Sequence, residues 1–283
     1  MDKKTMELSV EYYQELWDGK RAASVGHSPE IWDGRAEEWI AEIEDNPPGK
    51  LARVLDTADF LRSRGLLTPD TSAIDVGCGP GLFVAEFAKT AGSAVGLDFS
   101  RRFVGYAGDK AHEAGLSNAQ YEYCDFTKDD TSRFEGRFDL AFSSITPATS
   151  TWELMKKFMR LSRAFCCNVS FLNVKDSLAE QISHEVFGED FRPRWDGTGF
   201  YALLNIIWLS GYYPEIHYYD DVRDDVILPL PEEADYFAGM CRHNDSDAKD
   251  QVLRWLKSNG EMPCHRETRY GLILWDTRRK DKR

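Results

Sequence analysis

A cluster of glycines at residues 77–81 is the strongest chemical signal in the sequence. The run reads Gly77-Cys78-Gly79-Pro80-Gly81 and follows an apolar segment, with Asp75 two residues before the first glycine. Glycines let a turn adopt positive φ and approach a ligand closely. A second acid, Asp98, ends the next apolar segment, where a carboxylate can accept both hydroxyls of a ribose. The spacing therefore predicts a site for a cofactor that contains a nucleoside.

Two classes of cofactor use this layout, and the residues favour one of them. The dinucleotide fingerprint GxGxxG needs a glycine at its sixth position, which is Leu82 in this chain. An acid at position 75 is unfavourable beside a pyrophosphate and suits a ligand that carries an ammonium group. The cluster therefore favours S-adenosylmethionine over NAD, and an NAD-dependent oxidoreductase stays open as an alternative.

Strands and helices alternate around the cluster, which predicts a parallel sheet with helices on both faces. The expected strands are 72–76, 93–98, 119–124, 137–144, 163–172, 213–219 and 269–276. The expected helices are 8–19, 29–45, 51–61, 82–91, 100–115, 151–162, 177–187, 200–210, 231–240 and 247–258. Ser28 is expected to cap the second helix, and Asn46-Pro47-Pro48-Gly49 to break the chain before the third.

The sequence resembles a known family at two motifs. DVGCGPG at 75–81 and GLDFS at 96–100 are similar to motifs I and II of class I S-adenosylmethionine-dependent methyltransferases, and the order of elements is similar over about 72–276. The resemblance implies an α/β fold with a seven-stranded Rossmann-like sheet in the order 3-2-1-4-5-7-6, the last strand antiparallel. We expect an N-terminal helical lid at 1–65 and a core domain at 66–283, with a helical insertion at about 221–267.

The resemblance also implies which residues hold S-adenosylmethionine, with S-adenosylhomocysteine as product. The glycines and Asp75 would hold the methionine part, and Asp98 the ribose hydroxyls. Phe99 would flank the adenine, and Asp125, with Phe126 beside it, would accept from the adenine amino group. Ser143 and Ser144 would lie under the sulfonium. The full cofactor set is Asp75, Gly77, Cys78, Gly79, Gly81, Asp98, Phe99, Asp125, Phe126 and Ser143.

The methyl acceptor is less well defined by the sequence. Candidate acceptor residues are Tyr13, Trp32, Thr146, Asn173, Tyr201 and Asn205. Trp32 lies in a WDxRAxxW segment with Arg35, which resembles a subgroup of prokaryotic methyltransferases to which no substrate is attached. In related enzymes such N-terminal helices close over the cofactor. For the aromatics packing is the alternative interpretation, and for Asn205 a structural hydrogen bond. No general base is assigned, because methyl transfer from a sulfonium depends mainly on alignment.

Composition limits the kind of partner. The net charge of −13 and the pI near 5.0 oppose binding to DNA, and no Asn/Asp-Pro-Pro-aromatic motif follows the fourth strand. The sequence has no apolar run that predicts a signal peptide or a membrane span. Its six cysteines lack CxxC spacing, so we expect no metal site, buried thiols and a cytoplasmic protein. An acidic run at 215–250 predicts either a solvated face or a rim that attracts cations.

The sequence therefore predicts a methyltransferase (EC 2.1.1.-) that uses S-adenosylmethionine and acts on a small molecule. A protein or tRNA methyltransferase stays open, as does a non-catalytic protein that binds S-adenosylmethionine. The oligomeric state and the atom that accepts the methyl group are not predicted.

Overall fold

A central sheet organises the chain. The computed structural model describes residues 3–22, 29–45, 47–193, 196–279 and 281. Within them, seven strands pair in the order β3-β2-β1-β4-β5-β7-β6, the first five in parallel and β7 antiparallel to both of its neighbours. Their bounds are β1 Ser72–Val76, β2 Ser93–Asp98, β3 Ala119–Tyr123, β4 Phe138–Ser144, β5 Ser162–Asp176, β6 Glu215–Ile227 and β7 Met262–Asp276. The predicted fold class and strand order are confirmed.

Ten α-helices lie around this sheet in the described part of the chain. They are α1 Lys3–Ala22, α2 Pro29–Asp45, α3 Pro47–Ser63, α4 Leu82–Ala88, α5 Arg101–Glu113, α6 Trp152–Leu161, α7 Ser177–Phe187, α8 Thr198–Leu209, α9 Pro231–Met240 and α10 Ser246–Asn259. Among the described residues, none of these helices combines the length and the apolar character that a membrane crossing requires. All six cysteines are buried and free, as predicted.

Several element boundaries differ from the prediction. Helix α3 begins at Pro47, because the fixed φ of proline suits the first turn of a helix. Strand β5 runs to Asp176, so Asn173 lies within the strand and does not follow it. The helical insertion is confirmed, but it spans 228–261, because the strands on both sides are longer than predicted. Ser28 and Asn46 lie outside the described residues.

The register brings the carboxyl ends of four strands to one edge of the sheet. Val76 of β1 pairs with Leu97 of β2, and Asp98 pairs with Tyr123 of β3. On the other side, Ser144 of β4 pairs with Val169. The loop after β1 and the loop after β4 therefore begin at the same edge, where open α/β sheets bind their ligands.

Buried aromatic side chains fix the helix that follows the glycine cluster. The ring of Phe83 in α4 lies 4.7 Å from that of Phe142 in β4, and Phe87 lies 5.1 Å from Phe142, measured between centroids. All three are buried. Aromatic pairs at these distances contribute about 0.5–1.5 kcal/mol each beyond the area they bury. Helix α4 is thus anchored to the sheet directly behind the glycines.

The chain divides into two compact units. The first consists of Met1–Ser170, Thr198–His217 and Gly271–Arg283, and it contains the glycine cluster. The second consists of Phe171–Gly197 and Tyr218–Tyr270. In the second unit, α7, α9 and α10 share an apolar core, and buried Asp176 caps α7 while accepting a hydrogen bond from Arg266 at 2.7 Å.

Within the second unit, the end strand β6 explains part of the acidic run. Its side chains alternate between the two faces of the sheet, and Val222 and Val226 are 56% and 64% exposed. Asp220 accepts from Arg269 of β7 at 2.7 Å, and Asp224 lies 2.8 Å from the ring nitrogen of His265. These acids belong to a solvated face, which is one of the two interpretations that the sequence left open.

Candidate cofactor site

The glycine cluster forms a tight loop tied to the neighbouring strand. The amides of Gly77 and Cys78 both donate to the carbonyl of Leu97, at 2.8 and 3.0 Å. A Cβ at Gly81 (φ +81°) would lie 2.5 Å from the ring of Tyr121, so a side chain is excluded there. A Cβ at Gly79 (φ +52°) would meet no described atom within 4 Å. The loop is thus packed against protein at Gly81 and open at Gly79.

The loop after β4 presses against the glycine loop. A Cβ at Gly77 would lie 2.0 Å from Oγ1 of Thr146, so only glycine admits that threonine. Thr146 is buried, and its hydroxyl caps a short 3₁₀ turn by accepting from the amide of Ala148 at 3.1 Å. The preceding residue, Ile145, has φ +51°, which is rare for a β-branched side chain. Strained backbone of this kind clusters at functional sites.

Asp75 is a buried acid without a full set of partners. It lies at the end of β1 with 2% of its surface exposed, and its Oδ1 has no hydrogen-bond partner among the described residues. Burial raises the pKa of Asp75 well above its usual range, and the negative charge of Asp98 raises it further. A buried carboxylate oxygen without a donor is unfavourable by several kcal/mol. The position therefore suits a ligand that brings a positive charge and a hydrogen.

Asp98 is buried as well, but backbone amides hold it. Its Oδ2 accepts from the amide of Gly79 at 2.8 Å, and its Oδ1 accepts from the amide of Ser100 at 2.8 Å. Burial raises the pKa of Asp98, although these amide hydrogen bonds oppose the shift. Each carboxylate oxygen keeps acceptor capacity for a further hydrogen bond. Asp98 is thus fixed in place and can accept two hydroxyl groups.

Arg53 is a component of this site that the sequence did not reveal. It lies in α3, donates to the hydroxyl of Ser144 at 3.3 Å and stands 5.5 Å from the ring centroid of Phe83. Its positive charge lowers the pKa of Asp75, against the larger effect of burial. In the sequence it is one more charged residue in an amphipathic pattern, which gives no sign of a site. The structure thus contains a cation whose charge acts on Asp75.

Of the residues expected beside the adenine, Asp125 and Phe126 lie just after β3 and Phe99 lies just after β2. Asp125 accepts from the amide and the hydroxyl of Thr127, at 3.1 and 2.6 Å, and pairs with Lys128 at 2.9 Å. Burial raises the pKa of Asp125, but these hydrogen bonds outweigh it and the net shift is downward. Phe126 is 3% exposed and Phe99 is half-buried. The carboxylate of Asp125 is therefore already hydrogen-bonded to Thr127 and paired with Lys128, and the ring of Phe126 lies in the core.

Ser143 lies at the end of β4 in a buried polar chain. The amide nitrogen of Asn168 in β5 donates to the Ser143 hydroxyl at 2.9 Å, and Ser170 donates to Asn168 at 3.0 Å. All three residues are buried. Asn168 and Ser170 were not predicted, because they lie in the largely apolar middle of β5. Their hydrogen bonds fix the Ser143 hydroxyl beside the loop that contains Thr146.

Two of the acceptor candidates meet in the structure. The hydroxyls of Tyr13 in α1 and Tyr201 in α8 lie 3.1 Å apart, and Tyr201 is 52% exposed. Asn205 donates to the carbonyl of Tyr201 at 2.7 Å, which is the structural hydrogen bond considered from the sequence. Trp32 packs edge to face against Trp39, between centroids 5.9 Å apart. Asn173 is exposed in the second unit, and the side chain of Arg35 lies outside the described residues.

The strand order and the position of the glycine loop are those that the resemblance to class I methyltransferases implies. Residues 67–186 match the sequence model of a family described as a methyltransferase domain. This match confirms the family resemblance seen at the glycine motif. No protein among the curated ones matches the sequence.

Several solved structures have a similar arrangement. One is magnesium protoporphyrin IX methyltransferase from Synechocystis PCC 6803 with bound SAH, at 13% identity and TM-score 0.48, covering 82% of this chain and 85% of that one. Another is a putative methyltransferase from Bacillus halodurans C-125, at 15% identity and TM-score 0.49, covering 77% and 97%. A third is geranyl diphosphate C-methyltransferase from Streptomyces coelicolor A3(2), at 14% and 0.43, covering 78% and 76%. At these identities we draw nothing about the substrate of this chain.

The burial of Asp75 gives a prediction for stability against pH. Because its pKa is raised on folding, the folded state binds more protons, and this residue lowers stability as the pH rises through that pKa. Asp75→Asn cannot ionise, so without ligand it should unfold at a higher temperature than wild type at pH 8. The difference should fade as the pH falls toward 4. Thermal unfolding across this range measures it.

Asp139 is the matched control with the opposite sign. Its hydrogen bonds to Arg163 and Ser72 lower its pKa to about 2, so its ionised form stabilises the fold. Asp139→Asn should therefore be less stable than wild type at pH 7, with a difference that shrinks as the pH falls below 4. An Asp75→Asn variant that behaved like Asp139→Asn would contradict the assignment of Asp75 as an uncompensated buried charge.

The backbone at Ile145 gives a second prediction. Ile145→Gly and Ile145→Ala remove the same side-chain atoms beyond Cβ, but only glycine adopts φ +51° without strain. The glycine variant should be more stable than the alanine variant by about 1 kcal/mol. Denaturant unfolding measures the difference. At Val222, which is exposed in β6, the glycine variant should instead be less stable than the alanine variant. If alanine were the more stable replacement at both positions, the backbone at Ile145 would not be strained.

Proposed function

We propose that this protein transfers a methyl group from S-adenosylmethionine to a small-molecule acceptor. When bound, the cofactor supplies a sulfonium whose methyl group is transferred by in-line displacement, so that the protein mainly contributes alignment and a dry site. The observation that carries the proposal is the buried Oδ1 of Asp75, which has no donor among the described residues. The amino group of a methionine moiety would provide both the hydrogen and the compensating charge.

Arg53 completes this half of the proposed site. A methionine moiety is a zwitterion, and its carboxylate needs a cation near the acid that binds its ammonium group. Arg53 is such a cation, since its charge acts on Asp75 and its guanidinium reaches Ser144. Charge-assisted hydrogen bonds to carboxylates are about twice as strong as neutral ones. We assign Asp75 to the ammonium group of the methionine moiety and Arg53 to its carboxylate. The glycine loop at 77–81 is assigned to the close backbone contact with the same moiety.

Asp98 is assigned to the ribose and the end of β3 to the adenine. The two amides that hold Asp98 leave each of its oxygens able to accept from one ribose hydroxyl. Phe99 is half-buried and follows Asp98 directly, so it is assigned to a face of the base. Asp125 stays in the proposal as the acceptor for the adenine amino group, with Phe126 supporting it from the core.

The acceptor is assigned to the side of the site formed by the β4 loop. Ser143 and Thr146 are buried polar residues beside the glycine loop, and Tyr13 with Tyr201 forms an exposed phenol pair. Trp32, Asn173 and Asn205 stay as further candidates, and residues 1–65 as the proposed lid. The net charge of −13 supports a small acceptor over a nucleic acid. The six buried free thiols suit the reducing cytoplasm as the proposed location.

Binding measurements with two ligands test the cofactor assignment. S-adenosylhomocysteine carries the amino-acid part, and 5′-methylthioadenosine lacks it while keeping the nucleoside. Wild type should bind the first more tightly, and Asp75→Asn and Arg53→Gln should each reduce that preference about tenfold or more, with binding of methylthioadenosine unchanged. Asp98→Asn should weaken both ligands. Isothermal titration calorimetry measures each Kd.

The control for this series is Arg64→Gln. Arg64 follows α3 and pairs with Glu215 at an exposed position, so its loss should leave both affinities as in wild type. Binding of NAD in place of S-adenosylhomocysteine would refute the cofactor assignment and favour an oxidoreductase. A preference for S-adenosylhomocysteine that survived both Asp75→Asn and Arg53→Gln would place the methionine part elsewhere.

A labelling experiment tests the acceptor class. Methyl-labelled S-adenosylmethionine is incubated with the protein and a cell extract that has been separated into small molecules, protein and RNA. The label should appear in the small-molecule fraction with wild type and be lost with Asp98→Asn. Label in protein or RNA would replace the small-molecule assignment with a macromolecular one. Binding of the cofactor without transfer to any fraction would indicate a non-catalytic protein.

A further inference from the structure

Helix α2 is attached to helix α5 by a line of side-chain contacts. Three of them are ordinary for an exposed helix pair. Glu37 pairs with Arg102, Glu44 lies 3.3 Å from the ammonium of Lys110, and the ring of Trp39 lies 6.1 Å from that of Phe103. Both ion pairs are exposed and are expected to contribute little to stability. They attach the helix without reaching the candidate cofactor site.

The fourth contact is a hydrogen bond between Asp33 and Ser100, and unlike the other three it reaches a completely buried residue. The hydroxyl of Ser100 donates to Oδ1 of Asp33 at 2.5 Å, and Ser100 is completely buried. The same hydroxyl accepts from the amide of Phe103 and so caps α5, while the amide of Ser100 donates to Asp98. Ser100 therefore stands between Asp33 and the carboxylate assigned to the ribose.

Asp33 fixes the orientation of the Ser100 hydroxyl. A hydroxyl has one hydrogen, so Asp33, by accepting it, fixes the hydroxyl with its lone pairs toward Phe103. This holds the first turn of α5 and with it the amide of Ser100, which points at Oδ1 of Asp98. The Asp33 carboxylate also lies at the amino end of α5, where negative charge is favourable. Loss of Asp33 would release the turn that sets Asp98.

We propose that Asp33 is a positioning residue for the cofactor, acting through Ser100 to hold Asp98 in the orientation that accepts the ribose hydroxyls. The inference rests on the proposed function, because it takes Asp98 to be the ribose acceptor. Under this proposal, helix α2 of the N-terminal segment contributes to binding at the proposed cofactor site. Since coupling between two sites is reciprocal, a nucleoside bound at Asp98 stabilises the attachment of α2 through the same hydrogen bonds.

The test compares Asp33 with Glu37, which lies on the same helix. Kd values are measured for S-adenosylhomocysteine, 5′-methylthioadenosine and 2′-deoxy-5′-methylthioadenosine. Asp33→Ala should weaken the first two about tenfold, since both contain the ribose. Asp33→Asn keeps a side-chain oxygen that accepts from Ser100, so it should restore most of the affinity. Glu37→Gln loses only an exposed ion pair and should bind as wild type does.

The deoxy ligand separates positioning from a general loss of structure. In wild type, removal of the 2′-hydroxyl should weaken binding, because Asp98 loses a donor. In Asp33→Ala this penalty should shrink, since Asp98 is no longer held for that hydroxyl. Adding Asp33→Ala to Ser100→Ala should change binding little, because Asp33 acts through the Ser100 hydroxyl that this variant already lacks.

The outcomes distinguish this inference from the proposed function. If wild type binds neither S-adenosylhomocysteine nor methylthioadenosine, both are wrong. If wild type binds and Asp33→Ala keeps its affinity and its full deoxy penalty, only the role of Asp33 is overturned. If Asp33→Ala and Glu37→Gln lose equal affinity, or the deoxy penalty stays at its wild-type value, Asp33 is a structural contact and the inference is likewise overturned.

Discussion

The candidate cofactor site depends on two carboxylates that are buried at the ends of neighbouring strands. Asp75 and Asp98 repel each other, and burial makes the ionised form of each unfavourable. Asp98 is compensated from within, because the amides of Gly79 and Ser100 donate to it. The charge of Arg53 lowers the pKa of Asp75, but less than burial raises it, and one oxygen of Asp75 has no donor among the described residues. The protein therefore folds with one buried carboxyl group, that of Asp75, whose negative charge is not fully compensated.

The rest of the first unit holds this arrangement in place. The glycine loop is fixed at one end by Leu97 and at the other by the close approach of Tyr121 to Gly81. Thr146 occupies the space that a side chain at Gly77 would need, so the loops after β1 and β4 cannot shift independently. Sites built on packed elements in this way hold their geometry more precisely than sites on free loops.

The parts of the fold that follow from local rules were predictable. The bounds of β1 and β2 and the glycine loop could be found because an apolar strand, a turn that needs positive φ and a following helix leave a clear pattern. The extension of β6 to Ile227 could not, because its alternating acids resemble a loop until β7 is known to supply Arg269 and His265. Arg53 and Asp33 could not be found either. Each is a charged residue on a helix, and only the tertiary structure shows what it faces.

The acids of β6 have a consequence for how copies of this protein behave together. An end strand presents unpaired backbone groups that invite a strand from another molecule, and charged side chains on that strand oppose the pairing. Here Val222 is exposed between Asp220 and Asp224, and Val226 is exposed just beyond Asp224, so the carboxylates protect exposed β-branched side chains on this edge. Near the pI of about 5.0 the molecule as a whole loses its repulsive charge. The hydrogen bond from Arg269 lowers the pKa of Asp220, so this carboxylate keeps its charge at that pH and still protects the edge when the net repulsion between copies has gone.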